Sequence, residues 1–253
     1  MKIFVISLER ALDRRAVITE QMDRLGLPFE FVDGVDGKQL SDDEVSELYD
    51  KKRAYRQEGR RFSLGEIGCA LSHIKAYRKI VEDDIPCALI LEDDAWLTPS
   101  IVGVLEAMEG KFTPDLNGVV LLQERSSGVF KKRGQTIRFI DDLFVCNEVD
   151  SAQWAHAYVV TRTSAQSLIE ALVPVTHTAD SWGWLIRHRV VKVYCMNRTL
   201  STQNFYNLSS YIGWDRFEKN KWLFGKVTHK AYRAFWLACD ILVSLKSRIK
   251  EKL

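Results

Sequence analysis

The stretch Leu89-Ile90-Leu91-Glu92-Asp93-Asp94 constrains the fold more than any other. An apolar run from Cys87 to Leu91 has the length and character of a strand buried on both faces. It ends in three consecutive carboxylates, so the charge emerges at the C-terminal end of a buried strand. Open α/β sheets place their ligand crevices at those ends. Three adjacent negative charges repel one another and become tolerable beside a cation. Hard oxygen ligands suit Mn²⁺ or Mg²⁺, which commonly bridge a protein carboxylate to substrate phosphates. The competing reading is a solvated acidic turn, which the buried strand in front of it disfavours.

The rest of the chain alternates strand and helix patterns. Ile3 to Leu8 reads as a buried first strand, and residues 11 to 26 follow helical spacing with Leu12, Val17, Ile18, Met22 and Leu25 on one side. Gly26 is the expected C-cap, and a short strand from Pro28 to Val32 closes a βαβ unit. Ser41 to Glu44 and Ser63 to Glu66 carry capping-box signatures, the second opening a long helix to about Glu82. Residues 51 to 62 are basic and polar and read as a loop, as does the segment from Arg125 to Arg138. Gly118 to Gln123 is another apolar strand ending in a carboxylate, Glu124. Ala155 to Thr161 and Val190 to Met196 supply further strands, with helices over 163–172 and 181–187. This alternation predicts a mostly parallel, three-layer α/β sheet.

Among 253 residues, 28% are charged, yet the net charge is only +2, which gives no electrostatic case for nucleic acid. Five widely spaced cysteines, with no CxxC pair, disfavour both a disulfide framework and a zinc site and fit a reducing compartment. The N-terminus enters a strand pattern directly, and no run approaches the roughly 20 apolar residues of a membrane span. The expectation is a cytoplasmic protein. From Lys219 onward, aromatic and aliphatic clusters mix with many basic residues. We therefore divide the chain into an α/β domain over 1–212 and an amphipathic basic helical tail over 213–253. Such a tail either lies on an anionic membrane surface or packs its apolar face on the domain.

Several stretches together resemble glycosyltransferase family 25, the bacterial lipooligosaccharide galactosyltransferases and their collagen-modifying relatives. They are Val5-Ile6-Ser7-Leu8 with Arg14-Arg15, and Gly65-Glu66-Ile67-Gly68-Cys69 with Ser72-His73 on the same helix. Leu91-Glu92-Asp93-Asp94 and the late strand Ala157-Tyr158-Val159-Val160 complete the set. The similarity runs from the first residue to about Gln203. It departs at Ala157, where members often carry glycine, and in lacking a histidine match after Gln203 that would supply a third metal ligand.

The resemblance implies a GT-A fold, a UDP-sugar donor and inversion to a β-linkage. On that basis Asp94 holds Mn²⁺ or Mg²⁺, Glu92 lies on the same face, and Asp93 meets ribose or orients a neighbour. On an extended backbone the three could not all point one way. Ser7, Leu8, Arg14, Arg15, Ser72 and His73 line the donor side in this reading. On residue grounds alone His73 is a hydrogen-bonded structural histidine, Glu66 a capping carboxylate and Cys69 a packing residue.

Inversion needs one carboxylate to deprotonate the acceptor hydroxyl. Asp180, which matches a family aspartate and precedes Ser181-Trp182-Gly183-Trp184, is favoured over Glu124. Trp182 and Trp184 are candidates to stack on the acceptor sugar, with one exposed and one buried as the expected split. The implied reaction moves a hexose, galactose first and glucose as the alternative, from UDP to a lipid-linked lipooligosaccharide or lipopolysaccharide core at the inner membrane face. Two other classes fit less well. A phospho-acceptor domain needs an acidic pair after its first strand, where this chain has Ser7-Leu8-Glu9-Arg10. A sugar-binding protein without turnover would not require the intact acidic triplet.

Overall fold

A computed structural model describes residues 1–109, 111, 116–124, 132–139 and 144–203. The chain opens with β1 (Lys2–Ser7), α1 (Leu12–Leu25) and β2 (Glu30–Asp33), the expected βαβ unit with β1 and β2 paired in parallel. Gly26 ends α1 at φ 65°, a left-handed conformation that costs glycine nothing. Helices α2 (Asp42–Leu48), α3 (Lys51–Glu58) and α4 (Leu64–Glu82) follow. The capping boxes expected at Ser41 and Ser63 both form, each closed by its glutamate three residues on. After α4 come β3 (Cys87–Glu92), β4 (Ala95–Leu97), α5 (Ile101–Met108) and β5 (Gly118–Glu124). The described chain continues through β6 (Lys132–Phe139), β7 (Phe144–Val149), β8 (Ala157–Thr161), α6 (Arg162–Leu172), α7 (Trp182–Arg187), β9 (Lys192–Met196) and β10 (Ser201–Gln203).

Eight strands form one sheet in the order β2-β1-β3-β8-β5-β9-β7-β6, and β4 pairs with β10 in a separate two-stranded sheet. Six of the eight strands run in one direction, while β8 and β7 run against them. The sheet is therefore large and mostly parallel in sense, but β8 inserts antiparallel between β3 and β5.

Strand alternation divides the core between the two faces. Phe4, Ile6, Ala88, Ile90, Val119, Leu121, Tyr158 and Val160 pack under residues of α4, α6 and α7. Ile3, Val5, Leu89, Leu91, Val120, Leu122 and Val159 pack under α1 and α5. These are the three expected layers. The α1 stripe is rotated from its expected position: Ile18 and Met22 are buried, with Arg14 and Gln21 beside them, while Leu12 is 72% exposed. Gln21 explains part of that rotation. Its amide donates to the Ala95 carbonyl at 3.0 Å and accepts from the Leu97 amide at 2.8 Å, binding α1 to β4.

Two segments read as loops are regular. Residues 51–58 form α3, because Asp50 accepts a hydrogen bond from the Arg53 amide at its start and Gly59 takes φ 69° at its end. Its buried stripe is one small residue, Ala54, too little for an apolar period to reveal. Residues 132–139 form β6, which among the described residues is an edge strand paired with β7. The tail over 213–253, and the loop residues 125–131, lie outside the described residues. Among the described residues, no helix is long and apolar enough to cross a membrane.

Candidate active site

The C-terminal ends of β1, β2 and β3 lie side by side, and a cleft of about 740 Å³, open mouth included, forms above them. Its lining includes Ser7 and Leu8 at the end of β1, Arg10 and Arg14, the loop 34–38 after β2, and Glu92, Asp93 and Asp94 at the end of β3. From α4 it takes Gly65, Cys69, Ser72 and His73. The crevice is where parallel sheet topology places one.

All three carboxylates reach the cleft, contrary to the expectation for an extended backbone. The reason is local. The strand ends at Glu92, and Asp93 and Asp94 lie in the turn that follows. Asp93 is buried, accepts a 2.6 Å hydrogen bond from the Ser7 hydroxyl and forms an ion pair with Arg14. Arg14 also meets Asp94 Oδ2 at 3.3 Å. The cation that makes the triplet tolerable is therefore in part a side chain of α1. One guanidinium does not balance three carboxylates. Burial and the charge of Glu92 push the Asp94 carboxyl up to about 7, and burial also raises Asp93 despite Arg14. Glu92 goes the other way: its hydrogen bond with His73, helped by His156 and Arg14, outweighs burial and holds it below the ordinary value.

A divalent cation fits these residues. Asp94 Oδ1 is buried and has no hydrogen-bond partner among the described residues, and Glu92 lines the same cleft. An orphaned carboxylate oxygen in an electronegative pocket is the donor a hard cation takes.

The α4 motif Gly-Glu-x-Gly-Cys-x-x-Ser-His builds one wall of the cleft. Glu66 closes the capping box with Ser63 and pairs with Arg60 at 2.7 Å. Gly68 lets α4 approach the 34–38 loop: a Cβ there would stand 2.5 Å from the Val35 carbonyl oxygen and 2.6 Å from the Gly37 nitrogen. Ser72 accepts from the Val35 amide at 2.8 Å and donates to the Gly68 carbonyl at 2.6 Å, fixing the same loop. His73 is fully buried between Tyr158, 2.7 Å from Nδ1, and Glu92, 3.2 Å from Nε2. Tyr77 lies 2.7 Å beyond, hydroxyl to hydroxyl with Tyr158. One arrangement of protons that satisfies this chain has Tyr77 donating to Tyr158, Tyr158 to His73 Nδ1, and Nε2–H to Glu92. Cys69 lines the cleft, and burial together with nearby carboxylates pushes its thiol well above the ordinary value.

Other expected residues stand elsewhere. Arg15 does not line the cleft; it pairs with Asp33, donates to the Leu8 and Ser7 carbonyls at 3.2 and 3.0 Å, and lies over the Phe31 ring. Asp180 is exposed and also outside the lining. It is not the N-cap of α7. Ser181 occupies that position without a side-chain capping bond, while Asp180 accepts from Thr178 at 2.8 Å. Glu124 ends β5, beyond a register shift against β9, and its side chain lies outside the described residues. Trp182 and Trp184 are both buried, at 0% and 9% exposure, so neither offers a free ring face. The expected split between them does not occur, because α7 packs both rings into the core beneath the sheet.

The sequence reading missed four features. Arg10 and Lys38 place positive charge in the cleft lining, with Arg10 held to Asp36 at 2.7 Å. Gly34 to Lys38 follows a parallel strand, and that position alone marked it as a crevice loop. His156 gives its carbonyl to the Glu92 amide at 2.8 Å. Trp154 is 50% exposed at φ 64°, a rare conformation for a bulky residue, and its carbonyl accepts from Trp182 Nε1 at 2.9 Å. No sequence signal separated it from the other tryptophans.

Comparison with known proteins joins these features to a family. The model described as glycosyltransferase family 25 (LPS biosynthesis protein) matches residues 1–182. A glycosyltransferase 25 family member of Aedes aegypti is 40% identical over 100 residues, 38% of this chain and 16% of that protein. Its counterpart in Anopheles gambiae is 29% identical over 215 residues, covering 76% of this chain and 35% of that protein. Human procollagen galactosyltransferase 2 is 25% identical over 174 residues, 67% of this chain and 27% of that protein. The chain thus spans about a third or less of the length of these relatives. With the whole cleft inside the matched residues, the chain belongs to glycosyltransferase family 25.

Proposed function

We propose that this chain is a cation-dependent GT-A glycosyltransferase that moves a hexose, galactose first, from UDP to an acceptor hydroxyl with inversion. The observation that carries the reading is the acidic triplet at the C-terminal end of β3, open to a cleft whose lining also holds Arg10 and Lys38. Galactose is supported by the relatives that carry procollagen galactosyltransferase names. A lipid-linked lipooligosaccharide or lipopolysaccharide core acceptor is supported by the family's description.

In this reading Asp94 and Glu92 hold Mn²⁺ or Mg²⁺, which supplies neutralising charge to the diphosphate. Arg14 keeps Asp93 and Asp94 in place, with Ser7 as the second hold on Asp93. Arg10 and Lys38 face the remaining phosphate charge, while Leu8 and the 34–38 loop border the nucleoside. Ser72 and His73 act through others, the first on the loop and the second on Glu92. Asp180 removes the proton of the acceptor hydroxyl as its oxygen attacks the anomeric carbon from the face opposite UDP; Glu124 is the alternative base. Trp154, with its half-exposed ring, takes over the stacking role expected of Trp182 and Trp184.

The test is UDP release from a panel of UDP-hexoses, with Mn²⁺ and after chelation. Donor hydrolysis with UDP-galactose, lost on chelation, is the expected result. Preference for UDP-glucose would change the sugar and keep the chemistry. No release from any UDP-hexose, under either condition, would defeat the reading.

A further inference from the structure

We propose that Cys69, His73 and Glu92 form a binding site for a borderline-soft transition metal, Zn²⁺ by its ligand set, that shares Glu92 with the hard-cation position. The three side chains come from two elements. Cys69 and His73 are four residues apart on α4 and therefore on one face, and Glu92 ends β3 opposite them. One sulfur, one nitrogen and one carboxylate oxygen all lie within 4.8 Å of one another. His73 Nε2 and Glu92 Oε1 are 3.2 Å apart. Zinc bonds of roughly 2.0–2.2 Å at a tetrahedral angle put a nitrogen–oxygen pair about 3.3–3.5 Å apart, close to the His73–Glu92 separation.

The surroundings match what a metal-bound histidine requires. His73 Nδ1 already has an oxygen partner, Tyr158, itself held by Tyr77, and that outer contact fixes the ring while Nε2 faces the ion. All three ligands line the open cleft, which gives the ion an entry path and leaves a fourth position for water. The proton balance closes. On binding, Cys69 loses its thiol proton to solvent. His73 stays neutral and changes tautomer, so that Nδ1–H donates to Tyr158 and the Tyr158 proton turns to the Tyr77 oxygen. One proton is released for each ion bound. A thiolate is a ligand that Mn²⁺ and Mg²⁺ do not seek, so the trio selects a different ion from the oxygen donors at Asp94. An ion here occupies Glu92, and, on the glycosyltransferase reading above, it excludes the donor's own cation and inhibits transfer.

Cobalt titration of the full chain tests the site, because Co²⁺ takes zinc positions and reports its ligands by colour. The expected result is a near-ultraviolet thiolate-to-cobalt absorption that saturates at one ion, is discharged by Zn²⁺ and is absent in Cys69→Ser. His73→Ala should weaken binding by about tenfold or more, as loss of a ligand or its support does. In UDP-release assays, Zn²⁺ should inhibit the wild type at concentrations about tenfold below those needed for Cys69→Ser. A cobalt spectrum without the thiolate band, or one unchanged in Cys69→Ser, overturns the site even where UDP-hexose turnover is intact. The band without turnover of any UDP-hexose keeps the site and removes the glycosyltransferase reading, so the two failures are distinguishable.

Discussion

Asp180 and Asp94 do different work in this account, and single substitutions separate them. Removing a general base typically slows the chemical step by about 10²–10⁴-fold without loosening the donor. Asp180→Asn is therefore expected to lower kcat on that scale and leave UDP affinity near wild type, measured by transfer kinetics beside UDP titration. An equal loss in Glu124→Gln, with Asp180→Asn fully active, would move the base to β5. Glu66 is a stability residue. The Arg60 ion pair and the Ser63 capping bonds outweigh burial and hold its carboxyl below the ordinary 4.5. A carboxyl lowered on folding stabilises the protein above that value, and the contribution is lost as pH falls through the folded-state value. The wild type should accordingly lose Tm as pH drops below 4.5, with a shallower loss in Glu66→Gln. Thermal melts of both across that range decide it; parallel curves would assign acid lability elsewhere. Glu66→Ala at neutral pH, which removes the cap and the partly buried ion pair together, should cost about 2–4 kcal/mol.

Elements whose signal came from burial were legible, and those whose signal came from partners were not. β1, β3, β5 and β8 are buried on both faces, so their apolar runs showed them. α4 showed itself through a capping box and a long apolar stripe. α3 exists through its two caps and one buried alanine, and β6 through pairing at a sheet edge; neither leaves a period in the chain. The acidic triplet was legible as a site, but its partner Arg14 came from 79 residues away, a distance that no local pattern encodes. The orientation of the tryptophans was beyond reach for the same reason, because α7 shows which rings are close together and not which face the core.

The glycine at 68 is where element packing and site geometry meet. Gly68→Ala forces α4 away from the 34–38 loop, and overpacking of this kind typically costs about 1–3 kcal/mol. The expected outcome is a lower Tm together with a raised KM for donor and a smaller change in kcat. A melt and a kinetic profile identical to wild type would show that the loop yields at no cost.

At the scale of the whole molecule, the sheet aligns the ends of β1, β2 and β3 so that one cleft gathers ligands from both layers: Arg14 from α1 on one face, Cys69 and His73 from α4 on the other. The tail beyond the described residues adds a surface reading. Its basic residues should draw the full chain onto anionic vesicles, each worth about 1 kcal/mol near the surface and weakened by salt. Charge reversal at Lys246, Arg248 and Lys250 should reduce co-sedimentation; unchanged binding would show that the tail is not the membrane contact.

The central claim is that a nucleoside diphosphate binds this cleft through a cation held by Asp94. The direct measurement is calorimetric titration of UDP into wild type and Asp94→Asn, each with Mn²⁺ and with chelator. Saturable binding to the wild type that needs Mn²⁺ and is lost in the variant, while both proteins melt as folded domains, is the expected result. UDP affinity that is indifferent to Mn²⁺ and equal in the two proteins would contradict it.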